Sequence, residues 1–225
     1  MGVGKASSSS TSASIRTIMQ DVLSIIVQTK CLFILLWCIY IIGVCHTILV
    51  MNLFLLSRSR RRGAKRHCNR HVVKMILETT QLLWTGVHVA GVKTTGIRAY
   101  RKTHVWHPTA MWVRESPKNW KFAVGLGLAL CAEYTRRYHK RHRCERHLHY
   151  LKKLGYCKPL ESRPYKNPRG PMKGGCTPLP LAMPDDCVVY QHGKPNPVAS
   201  YRKYYGRKQR EWAANGRPMR WQTQV

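Results

Sequence analysis

One run of residues limits this chain more than any other. Residues 31–56, CLFILLWCIYIIGVCHTILVMNLFLL, contain no Lys, Arg, Asp or Glu. Twenty-six uncharged, mostly apolar residues must leave water, and as a helix they are long enough to cross a bilayer. Arg58, Arg60, Arg61, Arg62, Lys65 and Arg66 follow at once. If the run spans a membrane, that basic flank sets the following domain on the cytoplasmic side. A cleaved signal peptide fits poorly, because thirty residues precede the run. In a third reading, Met51 is the true start and residues 1–50 are an upstream extension of the reading frame. The composition break near residue 50 suits either the span or the extension. The expected organisation is a disordered segment over 1–30, an apolar segment over 31–50 and a helical domain over 51–225. The first fourteen residues are rich in Ser, Gly and Ala, as disordered segments often are.

Charge divides the chain at the same place. Of 39 Lys and Arg and nine acids, residues 1–50 hold only Lys5, Arg16, Lys30 and Asp21. The remainder carries 36 basic groups against eight acids. Such an excess repels itself unless a polyanion is near. A nucleic acid, double-stranded DNA or RNA, is the first expected partner, because Lys and Arg neutralise phosphates without regard to sequence. An anionic membrane surface is the other candidate, through residues 31–56 and their basic flank. Nine cysteines form no CxxC pair. That composition argues against a disulfide framework and for an intracellular compartment, cytoplasm or nucleoid/nucleus, with membrane anchoring if residues 1–50 are made.

Beyond residue 56 the pattern reads as all-α. Helices are expected over 70–89, 116–141, 142–154 and 198–213. Ser116-Pro117 supplies an N-cap followed by Pro at the first helical position, and Gly155 suits a helix end. Residues 158–197 hold nine of the twelve prolines, which predicts a long wrapped loop. No alternating segment bounded by hairpin turns predicts a strand.

The first long helix carries an oddity. HVVKMILETTQLLW, residues 71–84, places one of the few acids, Glu78, inside an apolar run. At about 100° per residue, His71, Lys74, Glu78, Gln81 and Thr85 fall in a stripe about 80° wide. Apolar residues fill most of the remaining arc. A surface helix usually gives more of its circumference to water, so the stripe is expected to face a cleft. Burial would disfavour the charged form of Glu78, while Lys74 and His71 would favour it. A carboxylate so placed suits general acid–base work or stabilisation of a developing cation. The same spacing also suits a structural Lys74–Glu78 ion pair at i,i+4.

Several longer motifs carry a resemblance. They are Met51-Asn52-Leu53-Phe54-Leu55, HCNRHVVKMILETTQLL (67–83), HPTAMWVRES (107–116), ALCAEYTRRYHKRH (129–142), PLAMPDD (180–186) and SYRKYYGRK (200–208). From Met51 onward the chain resembles a group of phage-type small proteins. That group is distantly similar to the pyrimidine-dimer DNA glycosylases of the endonuclease V type. The distant likeness rests on His71 and Glu78, seven apart, on Pro108-Thr109, and on the basic-aromatic run Lys203 to Arg207. It implies a compact all-α fold and cleavage of the N-glycosidic bond at damaged pyrimidines in DNA, with strand cleavage at the abasic site in some members. It implies Glu78 as catalytic carboxylate and His71 as active-site histidine. The family extrudes a base and bends the duplex, which suits a cationic surface bearing aromatic rings. The family nucleophile is a free α-amine at the mature N-terminus. Here the matching region, Met51-Asn52, is preceded by fifty residues. Lys74 is then the candidate amine, since a desolvated lysine can act as a nucleophile.

DNA contacts are expected from Arg114, Arg137, Arg202, Lys203, Tyr204, Tyr205, Arg207 and Lys208, where charge meets stacking rings. Gly206 is expected to break the last helix there. The bland alternative packs those tyrosines inward and leaves the cations in water. His67, Cys68 and His71, with His104 and His107, raise a metal site and a metal-dependent nuclease, but no pair has standard finger spacing. No metal or small-molecule cofactor is assigned, and a monomer is expected. The functional alternative from a different class is a non-catalytic, membrane-tethered nucleic-acid-binding protein.

Overall fold

Thirteen of the 21 residues from Asn69 to Val89 are buried, and this helix is the axis of the fold. A computed structural model describes residues 51–160, 163 and 167–221. The apolar segment over 31–50 and the disordered segment over 1–30 lie outside the described residues. Met51 to Val225 forms one unit of the chain.

Six helices carry the described fold: α1 (Arg60–Lys65), α2 (Asn69–Val89), α3 (Pro108–Glu115), α4 (Pro117–Tyr138), α5 (Glu145–Leu154) and α6 (Pro197–Ala214). Helix α2 packs against α3, α4 and α5, and α1 lies on α4. The local chemistry is that expected of helix ends. The Ser116 hydroxyl accepts from the Asn119 N–H at 3.2 Å, with Pro117 in the first turn. Asn196 does the same for α6, accepting from the Ala199 N–H at 3.1 Å. Helix α4 ends three residues before the expected 141, because His139 turns left-handed with φ 52°. Six residues, 139–144, separate it from the start of α5 at Glu145.

Two glycines permit close helix packing. A Cβ on Gly127 of α4 would lie 2.9 Å from a Leu148 methyl of α5. One on Gly86 of α2 would lie 3.1 Å from the Trp120 ring of α4. Small residues at these crossings let the backbones approach.

Three expectations need correction. The Pro-rich loop over 158–197 is not free of strands: β1 (Arg169–Gly170) pairs antiparallel with β2 (Leu179–Pro180), and β3 (Tyr190–Gln191) with β4 (Lys194–Pro195). Each strand is two residues long, too short for alternation to register. Gly206 does not break α6, which continues to Ala214. A single glycine inside a packed helix costs only about 1 kcal/mol. Finally, residues 51–56, the end of the apolar run, are not helical. Met51 to Leu56 form neither helix nor strand and are buried, Met51 completely, within the helical core. Among the described residues no helix is long and apolar enough to cross a membrane.

Candidate active site

The buried Met51–Leu56 segment meets α2 at Glu78. The Asn52 N–H donates to Glu78 Oε2 at 3.0 Å. The other carboxylate oxygen, Oε1, lies 3.3 Å from Lys74 Nζ. Glu78 is only 2% exposed, while the Lys74 side chain is half exposed. Burial raises the Glu78 pKa above its ordinary value, against the Asn52 N–H and the charges of Lys74 and Lys208. Glu78 is therefore a covered carboxylate with a solvent-facing ammonium at its edge.

Asn52 organises the surroundings. Its side-chain oxygen accepts from the Leu53 N–H at 2.8 Å, the Thr109 hydroxyl at 3.3 Å and the Tyr201 hydroxyl at 3.2 Å. Its amide nitrogen donates to the Ala182 carbonyl at 2.8 Å. One buried residue thus ties together the 51–56 segment, the start of α3, α6 and the loop before the 3₁₀ turn at Asp185–Cys187. Nothing in the α2 periodicity points to Asn52. The available signal was its place in the Met51–Leu55 motif.

His71 does not act as a charged neighbour of Glu78. Its ring is boxed by Phe54, Tyr205 and Trp212 at centroid distances of 5.2, 5.1 and 4.9 Å. Its Nδ1 has no hydrogen-bond partner. Desolvation first, then the positive groups around it, lower its pKa to about 3. His67 is wholly buried, takes the Gly63 carbonyl at 2.8 Å, and is lowered to about 4, mainly by burial. Both imidazoles are neutral at neutral pH. The stability that neutrality carries is full above the unfolded pKa of about 6.5 and is lost as pH falls toward the folded values. Each histidine should cost on the order of 3 kcal/mol by pH 4. Urea unfolding at pH 7 and pH 4 should register this loss. His71→Phe should shrink the fall by on the order of 3 kcal/mol; an unchanged loss would show that His71 is not a buried titrating group.

The stripe itself is tilted relative to expectation. Arg70, Val73 and Lys74 face water, with Leu77 and Gln81 partly covered. Val73 is 39% exposed, although it belongs to the apolar arc. His71 and Glu78 lie on the inner edge, under Met51–Phe54 and α6.

The candidate DNA contacts divide sharply. Arg137 is buried: it donates to Glu133 Oε1 at 2.7 Å, Asn69 Oδ1 at 2.9 Å and the Lys65 carbonyl at 3.1 Å. Arg114 is buried beside the Trp106 ring, 5.6 Å from its centroid. Tyr205 is buried too, and its hydroxyl accepts from the Cys68 N–H at 2.8 Å. None of the three presents its side chain to a duplex in this conformation. Arg207 is held by Asp186 at 3.0 Å and Glu211 at 2.8 Å. Tyr204 is half buried and stacks on Phe54. Lys208 lies 4.7 Å over the Tyr204 ring, and Arg202 and Lys203 are exposed. Helical spacing separates these outcomes: Tyr201 and Tyr205 are on the inner face of α6, four residues apart.

Among the described residues no group of three His, Cys, Asp or Glu side chains is placed to hold a metal ion. All six described cysteines are free thiols. A cavity of about 680 Å³ lies among α1, α4 and the end of α5, lined in part by Trp120, Leu128 and Tyr156, and does not include Glu78. Comparison with protein-family models, curated proteins and solved structures returns no match.

Proposed function

We propose that the 51–225 domain is a DNA N-glycosylase acting on damaged pyrimidines, with Glu78 as its catalytic carboxylate. The observation that carries this reading is the pairing of a buried carboxylate with the Asn52 N–H at 3.0 Å and the Lys74 ammonium at 3.3 Å. Breaking an N-glycosidic bond builds positive charge on the sugar. A carboxylate in a poorly hydrated setting stabilises that charge more strongly than one in water, and it can take the proton of an attacking group. Lys74 and Lys208 place positive charge beside it, suited to the flanking phosphates.

Strand cleavage through a Schiff base requires a free amine. Lys74 Nζ is the side-chain amine at the carboxylate. The Asn52 nitrogen sits at the other carboxylate oxygen but is an amide within this chain; cleavage of the Met51–Asn52 bond would turn it into an α-amine. Borohydride trapping on abasic DNA separates these routes. Loss of the adduct in Lys74→Ala assigns the lysine, an adduct that survives and maps to a processed N-terminus assigns the α-amine, and no adduct at all removes the lyase step.

The second reading, a non-catalytic nucleic-acid-binding module, is favoured by the cover over Glu78. Met51–Phe54 and α6 leave it almost no exposed surface. Incubating the full chain with UV-irradiated and undamaged duplexes decides between them. Base release confined to irradiated DNA supports the enzyme. Salt-sensitive binding without product supports the module.

A further inference from the structure

We infer that a second cavity, bounded by α1 and the start of α6, is a phosphate site that grips the DNA backbone a few nucleotides from Glu78. The cavity is about 370 Å³ and is lined by Arg58, Arg62, Arg66 and Arg202, with Ser57 and the α6 cap Asn196 among the other residues. No carboxylate belongs to its lining. Most acids elsewhere already hold cations: Glu133 takes Arg136 and Arg137, Glu115 takes Arg169, and Asp186 and Glu211 share Arg207. Among the described residues Arg58, Arg62, Arg66 and Arg202 have no such carboxylate partner. Four guanidinium groups around one small cavity repel one another, and an anion between them removes the repulsion.

Two further features suit a phosphate rather than a carboxylate on a protein. The first turn of the 18-residue α6 opens at Asn196 into this cavity, adding the positive end of a helix dipole. Arg202 Nε donates to the Leu56 carbonyl at 3.1 Å, which fixes one guanidinium at the rim. Guanidinium groups match phosphate oxygens in pairs.

The same buried segment reaches both sites. Asn52 N–H is on Glu78, and the Leu56 carbonyl is on Arg202. Four residues of chain span at most about 14 Å. A strand of B-form DNA rises about 3.4 Å per nucleotide, so the cavity can hold a phosphate within about four nucleotides of a base over Glu78. The source of the phosphate, DNA rather than a free oligophosphate, rests on the DNA reading; the phosphate chemistry of the cavity does not.

The experiment uses the full chain and Arg58→Ala/Arg62→Ala. Both side chains are exposed, so the fold should persist, and Arg58→Lys/Arg62→Lys keeps the charge as a second variant. Binding of undamaged duplex DNA is measured across a salt series, and binding of inorganic pyrophosphate by calorimetry. The Ala pair should weaken DNA binding at least tenfold at low salt and reduce the salt slope by about 1.8, the value for two lost phosphate contacts. The Lys pair should restore most of the slope. Pyrophosphate binding lost in the Ala pair, with an unchanged DNA slope, supports the cavity as a site for free oligophosphate instead. An unchanged DNA slope together with no pyrophosphate binding to the wild-type chain overturns the inference. Base release is not read in any arm, so failure of the glycosylase reading leaves this outcome distinct.

Discussion

Glu78→Gln should cut base release from irradiated DNA by about two to three orders of magnitude, the usual cost of removing one preorganised charge-stabilising group. It should do so without loss of fold. Glutamine keeps an oxygen to accept the Asn52 N–H, now 3.0 Å from Glu78 Oε2. It also removes a buried charge. The folded pKa of Glu78 is raised by burial, so the unfolded chain releases this proton more readily than the folded one. The stability associated with the protonated form is full below the unfolded pKa and is lost as pH rises through the folded one. The variant should therefore melt at the same temperature as wild type or higher at pH 8, with the difference shrinking toward pH 4. Activity lost with stability kept or gained marks a functional carboxylate. A fall in melting temperature with base release unchanged would instead make Lys74–Glu78 a structural ion pair.

Arg137→Ala should give the opposite pattern. Arg137 and Glu133 are both almost wholly buried, and Arg137 also holds Asn69 and the Lys65 carbonyl. It ties the end of α4 to the start of α2 and the end of α1. Removing one partner of a buried ion pair costs about 3–5 kcal/mol, because the other charge is left behind. Arg136, at 2.7 Å from Glu133, will compensate for part of this and sets the lower end of the range. Urea denaturation checks the stability. In the fraction that folds, the salt dependence of DNA binding should match wild type, since a buried guanidinium neutralises no phosphate. A slope lowered by about 0.9, equivalent to one phosphate contact, would return Arg137 to the DNA surface.

The two variants share a lesson about cations in this chain. Composition gives a large positive excess but does not say which groups are available to a polyanion. With so few acids, each carboxylate that folds beside an arginine removes it from the DNA-facing set. Arg137 loses its candidacy in this way, Arg114 and Tyr205 by burial, while Arg207 stays partly exposed but is already paired with Asp186 and Glu211. Arg58, Arg62 and Arg66 gain theirs because no acid lines their cavity. In the sequence these three looked like the flank of an apolar run.

How much could be read beforehand varies with the range of the interaction. Helices α2, α4, α5 and α6 were legible because 3.6-residue periodicity, Ser116-Pro117 and Gly155 are local signals. Short elements were not. Helix α1 has six residues and α3 eight, and the strands have two, too few for a period to show. The polar stripe on α2 was legible as composition around a wheel, but its orientation was not, since another segment decides which edge is covered.

Glu78 draws the line between the two kinds of information. The sequence alone determined that an acid sits on a helix one turn from Lys74, and that the helix is buried over most of its surface. Both follow from the geometry of a single helix. Only the tertiary structure decided that Asn52 supplies its hydrogen bond, that His71 is neutral inside an aromatic box, and that the apolar residues 51–56 fill a protein core. These depend on contacts between residues far apart in the chain, Asn52 with Tyr201 across 149 positions among them. No local pattern encodes such a contact, because its free energy comes from burial shared by segments that meet only when the whole domain folds.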